Sequence, residues 1–459
     1  MEKQEIYAYI EETKQAYTDI SHQVWEFAEL SLKEHRSAAL YVKALQDAGF
    51  EVETGLSGIA TAFLGKYTAV EGGPVIGILG EFDALSGLSQ KAGSTVREPA
   101  DRKDDAGHGC GHNMLGAGSF AAACAVKQYL QEMKTPGTVI FFGCPGEEGG
   151  AAKAYLAREH YWEQLDAAIS WHPSSHNEVT TGTNNSCTQV LYKFKGVAAH
   201  AAGNPYKGRS ALDAVELMNV GVNYLREHMK PDCRVHYAMV DGGGISPNVV
   251  QPHASVLYMV RACHVKDTLE LQARVDKIAE GAALMTDTTF ERIFVDGTAN
   301  LVPNAVLEKI IYENMLSAPL PVYTDAEKEY AKELKKTYSD DEEKPALMET
   351  VDPWQTSDDF RPGSTDVGDV SWQTPTAQMV AVTFAQGSPG HSWQNVSCGC
   401  TSIGDKGLLY AAKVLAGTAI DLFENDTILE EAKKEFHERT DQEGYLCPIP
   451  DDAVPYVIE

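Results

Sequence analysis

The sequence predicts an α/β protein: an α/β/α sandwich built on a mixed sheet, interrupted by an inserted ferredoxin-like (βαββαβ) lid or dimerisation domain. Three observations predict it. Apolar runs of strand length alternate with helical periodicity up to about residue 185. The order then changes to strand, helix, strand, strand, helix, strand. Finally, ligand-type residues stand on both sides of this stretch, each at what reads as the end of a strand.

Residues 5–47 predict two helices, because Tyr17, Val24, Phe27 and Leu30, and then Ala38 to Leu45, keep a helical apolar spacing. Thr61–Phe63 and Val75–Leu79 predict strands, the second running into Gly80-Glu81-Phe82-Asp83. The connection 86–111, rich in Gly, Ser, Asp and Lys, is longer than an ordinary loop and so points to function. An Ala-rich helix is expected over 113–131, a buried strand at Thr138–Gly143, a helix over 151–163 and a short strand at Ala167–Trp171. In the insert, strand Val190–Phe194 leads to a long helix, Tyr206–Met229. Strands Arg234–Val240 and Ser255–Ala262 follow around the loop 241–248, then helix Asp267–Met285 and strand Thr289–Val295. Helices at Asn304–Leu316 and 324–337, strand Met379–Phe384 and helix Thr401–Phe423 resume the first pattern. The expected domains are therefore 1–185 with 302–459, and 186–301 as the insert. The acidic stretch Ser339–Glu343 and the tail 447–459 read as solvated surface. An edge strand on such an insert can pair with a copy of itself, so a homodimer is expected.

Length and charge narrow the function. A chain of 459 residues exceeds one simple core, which agrees with two domains. The formal net charge of -28 excludes a nucleic-acid partner, which needs a basic face, and disfavours acidic membrane surfaces. An acidic substrate would need local cations against this field. No apolar run approaches the ~20 residues of a membrane span, and the charged start Met1-Glu2-Lys3-Gln4-Glu5 lacks an apolar leader. The nine cysteines are scattered and odd in number, which fits the reduced thiols of a cytoplasmic protein. Cys398-Gly399-Cys400 invites a redox or metal reading, but the spacing is not Cys-x-x-Cys and no second pair follows.

The segment Gly107-His108-Gly109-Cys110-Gly111-His112-Asn113 carries the chemistry. In an extended stretch Cys110 and His112 point the same way, and thiolate and imidazole suit zinc- or manganese-class ions. Three later features join it: Glu147-Glu148 between glycines, His172 in Trp-His-Pro, and His391 in Gly-His-Ser. Tandem carboxylates serve a metallohydrolase because one can hold an ion while the other takes the proton of the attacking water. Alone, Glu147-Glu148 reads first as a solvated acidic turn, and His172 or His391 as a surface or satisfied histidine; together they predict a metal-dependent amidohydrolase. His108 shares the face of Cys110 and His112, and reads as a hydrogen-bonding group behind the ligands. Asp83 can orient a ligand or cap a loop, and Glu81 is a weaker candidate. In the insert, His200 among small residues suits a substrate contact or transition-state donor. Asn248 and Arg261 are further polar anchors, Arg261 either a carboxylate clamp or half of a structural ion pair.

These residues resemble the co-catalytic metallo-amidases and carboxypeptidases, the group that includes glutamate carboxypeptidase, aminoacylase and the indole-acetyl-amino-acid hydrolases. The resemblance covers nearly the whole chain. It rests on 107–116, on Gly-Glu-Glu-Gly-Gly-Ala at 146–151, on Ala-Ala-His-Ala-Ala at 198–202, and on Ser-Thr-Asp-Val-Gly-Asp-Val-Ser-Trp at 364–372. It implies two divalent ions per chain, manganese or zinc, with Cys110 bridging them and His112, Glu148, His172 and His391 as terminal ligands. It implies Glu147 as general base and Arg261 as a carboxylate binder. His200 and Asn248 resemble lid residues that reach into the site, the histidine coming from the partner protomer of a dimer. The implied substrate is a small acyl-amino acid, p-aminobenzoyl-glutamate in the branch this chain resembles most. Many relatives carry Asp where this chain has Asn113; Asn matches that branch and the β-alanyl-lysine-type dipeptidases. Relatives in the branch work with a sister protein, so a hetero-oligomer and a non-catalytic partner role stand as alternatives.

Overall fold

A computed structural model describes residues 1–102, 104–341 and 343–458. Lys103 of the 86–111 connection, Glu342 of the acidic stretch and Glu459 of the tail lie outside the described residues. In chain order the strands are β1 (Glu51–Thr54), β2 (Phe63–Val70), β3 (Val75–Glu81), β4 (Gly137–Cys144), β5 (Ala167–Ser174), β6 (Glu178–Thr180), β7 (Ser186–Lys195), β8 (Arg234–Asp241), β9 (His253–Ala262), β10 (Thr289–Thr298) and β11 (Thr376–Val382). They form two sheets, in two compact units.

The first unit comprises Met1–Thr183, Val302–Phe360 and Val370–Tyr445. Its seven-stranded sheet has the order β1-β2-β4-β3-β5-β11-β6. The strands β4, β3, β5 and β11 run parallel, while β1, β2 and β6 attach antiparallel, so the sheet is mixed. Every residue of β4 is buried, as a central strand covered on both faces requires; its run Thr-Val-Ile-Phe-Phe is apolar throughout, without alternation. Helices Lys3–Phe27, His112–Met133 and Ser402–Glu424 pack on one another. The small side chains Ala121, Ala122, Ala123 and Ala125 of the middle helix let them approach closely.

The second unit comprises Asn184–Leu301, Arg361–Asp369 and Leu446–Glu459. Its four-stranded antiparallel sheet has the order β10-β7-β9-β8, which with the helices Ala211–Leu225 and Val265–Thr286 is the βαββαβ arrangement. Tyr192, Val256, Tyr258 and Val260 of the sheet bury against Val215, Met218, Val222 and Val275 of the helices. The strand β8 lies at the sheet edge and buries only Val235 fully. Ile449, in the stretch read as solvated tail, is buried.

Three expectations need correction. The long helix over 206–229 is broken: a single 3-10 turn covers Pro205–Lys207 and the helix begins only at Ala211. Gly208 ends the first turn, and Ser210 caps the helix by accepting from Asp213 N–H at 3.0 Å. The helix expected over 151–163 stops at Arg158, because His160 takes a left-handed φ of 64° before a second short turn. The strand expected at Thr61–Phe63 starts at Phe63 and runs to Val70.

Candidate active site

The parallel strands bring the chemistry to one edge. Glu81 ends β3, and Asp83 follows two residues on; β4 runs into the turn that carries Glu147 and Glu148; His172 lies near the end of β5; the loop after β11 carries His391. Because these strands are parallel neighbours, their carboxyl ends meet on the same side of the sheet, where α/β folds bind ligands. Cys110 and His112 come from the long connection that follows β3, at the start of the helix His112–Met133. Gly111 makes that entry possible: its φ is 87°, and a Cβ there would lie 2.8 Å from both Phe384 and Pro173. His391 holds a left-handed φ of 51°, an unusual conformation that aims its ring at Glu148.

The donor atoms converge in three overlapping groups, the atoms of each lying within 4.8 Å of one another: Cys110, His112 and His172; Cys110, Glu148 and His391; Glu81, His112 and Glu147. Cys110 belongs to the first two groups and His112 to the first and third, so the clusters form one continuous site. The Sγ of Cys110 lies 3.3 Å from Nε2 of His172. Nδ1 of His172 donates to its neighbour Pro173 O at 2.8 Å, so Nε2 keeps the lone pair that faces Cys110. Likewise Nδ1 of His112 meets Asp83 Oδ1 at 2.8 Å, while its Nε2 is buried without a hydrogen-bond partner. Nε2 of His391 lies 3.3 Å from Glu148 Oε1.

A layer of partners orients these groups. The other oxygen of Asp83 accepts from Ser31 Oγ at 2.8 Å and from Glu148 N–H at 3.0 Å. Burial alone would raise Asp83, but the His112 ring beside it holds it at about 2. Burial would lower His112, yet Cys110 and Asp83 raise it well above its ordinary value. Burial also pushes the Cys110 thiol up and His172 down, while the hydrogen bond to Glu148 raises His391. His108 is buried, its Nε2 2.9 Å from Val24 O, and burial pushes it down to about 3, so it stays neutral. Glu81 is buried, with Lys153 Nζ at 2.7 Å on one oxygen and His112 Nε2 at 3.3 Å from the other. Asn113 donates to Ser21 Oγ at 3.0 Å and to Gly399 O at 2.8 Å. An Asp there would set a carboxylate against that carbonyl, so the amide suits this chain's packing.

His200, Asn248 and Arg261 belong to the second unit. Nδ1 of His200 accepts from the N–H groups of Ala202 and Gly203 at 3.2 and 3.0 Å, which leaves Nε2 carrying the proton on an exposed side chain. Asn248 O accepts from Ala201 N–H at 3.0 Å, so Asn248 and His200 share one loop cluster. Arg261 has a buried Nε without a hydrogen-bond partner, and its charge partly offsets the rise of Asp296, which burial still carries up to about 7. Two participants escaped sequence reading. Lys153 gives no sign in an Ala-rich helix, and Glu34, which holds the turn before Glu147, lies more than a hundred residues from it.

The donor set fits divalent metal. Thiol, imidazole and carboxylate are the ligand types of zinc- and manganese-class sites, and the buried Nε2 of His112 lacks a hydrogen-bond partner. Dicationic charge is also what would turn the buried Cys110 thiol into a thiolate.

The family model for peptidase family M20/M25/M40 matches residues 77–419. The chain is 42% identical to the B subunit of p-aminobenzoyl-glutamate hydrolase from Escherichia coli, covering 98% of this chain and 99% of that protein. It is 28% identical to the Xaa-Arg dipeptidase of Mus musculus, over 95% of this chain and 92% of that protein. Among solved structures, an aminobenzoyl-glutamate utilization protein from Klebsiella pneumoniae shares the fold with a TM-score of 0.60 at 15% identity, covering 89% of this chain and 97% of that chain. A dinuclear metal-binding M20 peptidase of Bacillus subtilis does so with a TM-score of 0.56 at 16% identity, covering 90% and 99%. No helix among the described residues is long and apolar enough to cross a membrane. The family match and the full-length relatives, with the donor cluster at the strand ends, establish that the chain belongs to peptidase family M20/M25/M40, as a metal-dependent amidohydrolase.

Proposed function

We propose that this chain hydrolyses the amide of p-aminobenzoyl-glutamate to p-aminobenzoate and glutamate. The observation that carries the chemistry is the convergence of Cys110, His112, His172, Glu148 and His391 beside a second carboxylate, Glu147. The substrate follows from the 42% identity over nearly the full length of one component of a p-aminobenzoyl-glutamate hydrolase.

Two divalent ions, manganese or zinc, would be held here by Cys110, which two of the clusters share, together with His112, Glu148, His172 and His391. Bound there, such ions supply Lewis acidity to the scissile carbonyl and to the attacking water. Glu147 takes the proton of that water and returns it to the leaving nitrogen. Asp83 fixes the His112 ring through Nδ1 so that Nε2 remains the donor. His200, protonated at Nε2, donates to the developing oxyanion, and Arg261 and Asn248 bind the substrate's polar groups. Nine cysteines with no disulfide among them suit the cytoplasm.

The edge strand β8 exposes Tyr237, Met239 and Val240, and the helix Ala211–Leu225 exposes Leu217, Val220 and Tyr224. That surface suits a homodimer made through the second unit. A sister protein is the further partner. By name, the Escherichia coli relative is one of two kinds of subunit in its enzyme, and a Haemophilus influenzae homolog of the other kind is 24% identical over 46% of this chain. The Xaa-Arg dipeptidase relatives favour a second reading, cleavage of an unusual dipeptide.

The test is p-aminobenzoate release by the purified chain, stripped of metal and then reloaded with manganese or zinc, beside a panel of β-alanyl-lysine and Xaa-Arg dipeptides. Metal-dependent release by the chain alone is expected. Dipeptide cleavage without release would replace the first substrate with the second. Release only after the sister protein is added would make this chain one half of the enzyme.

A further inference from the structure

The residues Glu29 to Glu34 lie behind the site and tie its parts together. Glu29 O accepts from Ala84 N–H at 2.8 Å, and Ser31 Oγ donates to Asp83. Leu32 takes a left-handed φ of 62°, and its side chain fills the space over two glycines of the catalytic turn. A Cβ on Gly146 or Gly150 would come within 2.9 or 2.7 Å of it. The carboxyl of Glu34, 0% exposed, completes the knot. Its Oε1 accepts from Leu32 N–H at 2.8 Å and from Gly146 N–H at 2.9 Å, and Thr61 Oγ1 lies 3.0 Å from Oε2. Three distant stretches of chain thus meet on one side chain, and one of them is the residue immediately before Glu147.

We propose that Glu34 is a positioning residue: through Gly146 N–H it sets the turn that presents Glu147 and Glu148, without itself touching substrate. The inference rests on reading Glu147 as the base and Glu148 as a ligand. Gly146 has a φ of 66° and no side chain, so its backbone is held by its hydrogen bond and by Leu32. Removing the acceptor leaves a buried N–H unsatisfied, and the turn shifts to find another partner. Burial, and then Asp83, raise Glu34 to about 8, so a neutral amide of the same shape is an apt replacement. The Gln oxygen would accept from both N–H groups while its NH2 faces Thr61 Oγ1.

Glu34→Gln, Glu34→Asp and Glu34→Ala test this by two readouts. The first is hydrogen exchange of a peptide spanning 145–151, which needs no substrate. The second is kcat and KM for p-aminobenzoate release. Glu34→Gln is expected to match the parent in both. Glu34→Ala is expected to speed exchange at the turn and lower kcat by about 100-fold, with KM within a few-fold, as a misplaced catalytic group does. Glu34→Asp keeps the buried acid but withdraws it from Gly146, so it shows the same kcat-selective loss and decides the matter if the alanine variant does not fold. Parent-like exchange in the Asp and Ala variants overturns the proposal, as does a Gln variant as impaired as Ala. If the parent releases no p-aminobenzoate even with the sister protein added, the substrate reading fails while the exchange readout still decides the role of Glu34.

Discussion

The two units place their costly groups in opposite ways. The first buries ionisable side chains: Glu34, Glu81, Asp83, His108, His112 and Lys153 are all nearly or wholly shielded from water. The second exposes several apolar ones: Tyr224 is 76% exposed and Leu284 85%, and Met239, Val240 and Ile245 are exposed as well. Buried charge is tolerated only where partners compensate it, so the first unit reads as a site built around a cation and its reaction. Exposed apolar surface at a sheet edge reads as a face that another chain covers. The candidate chemistry thus gathers in one unit, and the surface proposed for assembly lies in the other.

The sharpest way to break this contrast is Glu147→Gln. With the proposed base gone but the proposed ligand Glu148 in place, kcat is expected to fall by about 10²–10⁴-fold, the range of general base catalysis. Bound metal per chain, read by elemental analysis, should stay at the parent value. Turnover near the parent level would remove Glu147 from its assigned role. Next in size is Asp83→Asn. The amide loses the charge that steadies His112, so metal affinity is expected to weaken by about 10–100-fold in chelator competition. An unchanged affinity would mean that Asp83 serves only Ser31 and the turn.

Smaller effects probe the second unit. Tyr224→Lys combined with Met239→Lys puts charge on the exposed helix and edge strand. Sedimentation is expected to show a dimeric parent and a monomeric variant, while folding stability moves by no more than about 0.5 kcal/mol per site. A variant that remains dimeric would move the interface elsewhere. The smallest effect is a pH slope. Asp296 is buried and pushed up from 3.8 to about 7, chiefly by burial, with Asp366 adding to the rise and Gln189 and Arg261 opposing it. Between those values the folded state holds a proton that the unfolded state has released, so stability falls as pH rises through this window. Asp296→Asn should flatten that decline, by less than about 1.4 kcal/mol per pH unit, the limit for one proton. Denaturant melts at about pH 5 and 7.5 compare the slopes; equal slopes would show that Asp296 does not titrate differently on folding.

Much of this was legible before any coordinates. Strand Val75–Leu79 and helix 113–131 carry unambiguous periods, and the structure extends them by only a few residues, to Val75–Glu81 and His112–Met133. Cys110, His112, Glu147, Glu148, His172 and His391 stood out because chemistry-bearing residue types beside glycine or proline interrupt apolar runs. The helix over 206–229 misled because Tyr206 and Leu212 fall near a helical period, while Gly208 and Ser210 impose a turn and a new cap. The helix Asp426–Thr440 escaped notice because its charged face dominates its composition.

The sequence by itself determined the order of strands and helices, the insert, and the donor types of the site, because these depend on local periodicity and on residue chemistry. Only the tertiary structure decided that Arg361–Asp369 and Leu446–Glu459 join the second unit. It alone made Asp83 the partner of His112, paired Lys153 with Glu81, and set Glu34 beneath the turn of Glu147. Those contacts join residues from about 30 to more than a hundred positions apart. No local period encodes them; they exist because a buried polar group must find a partner wherever the packed chain brings one.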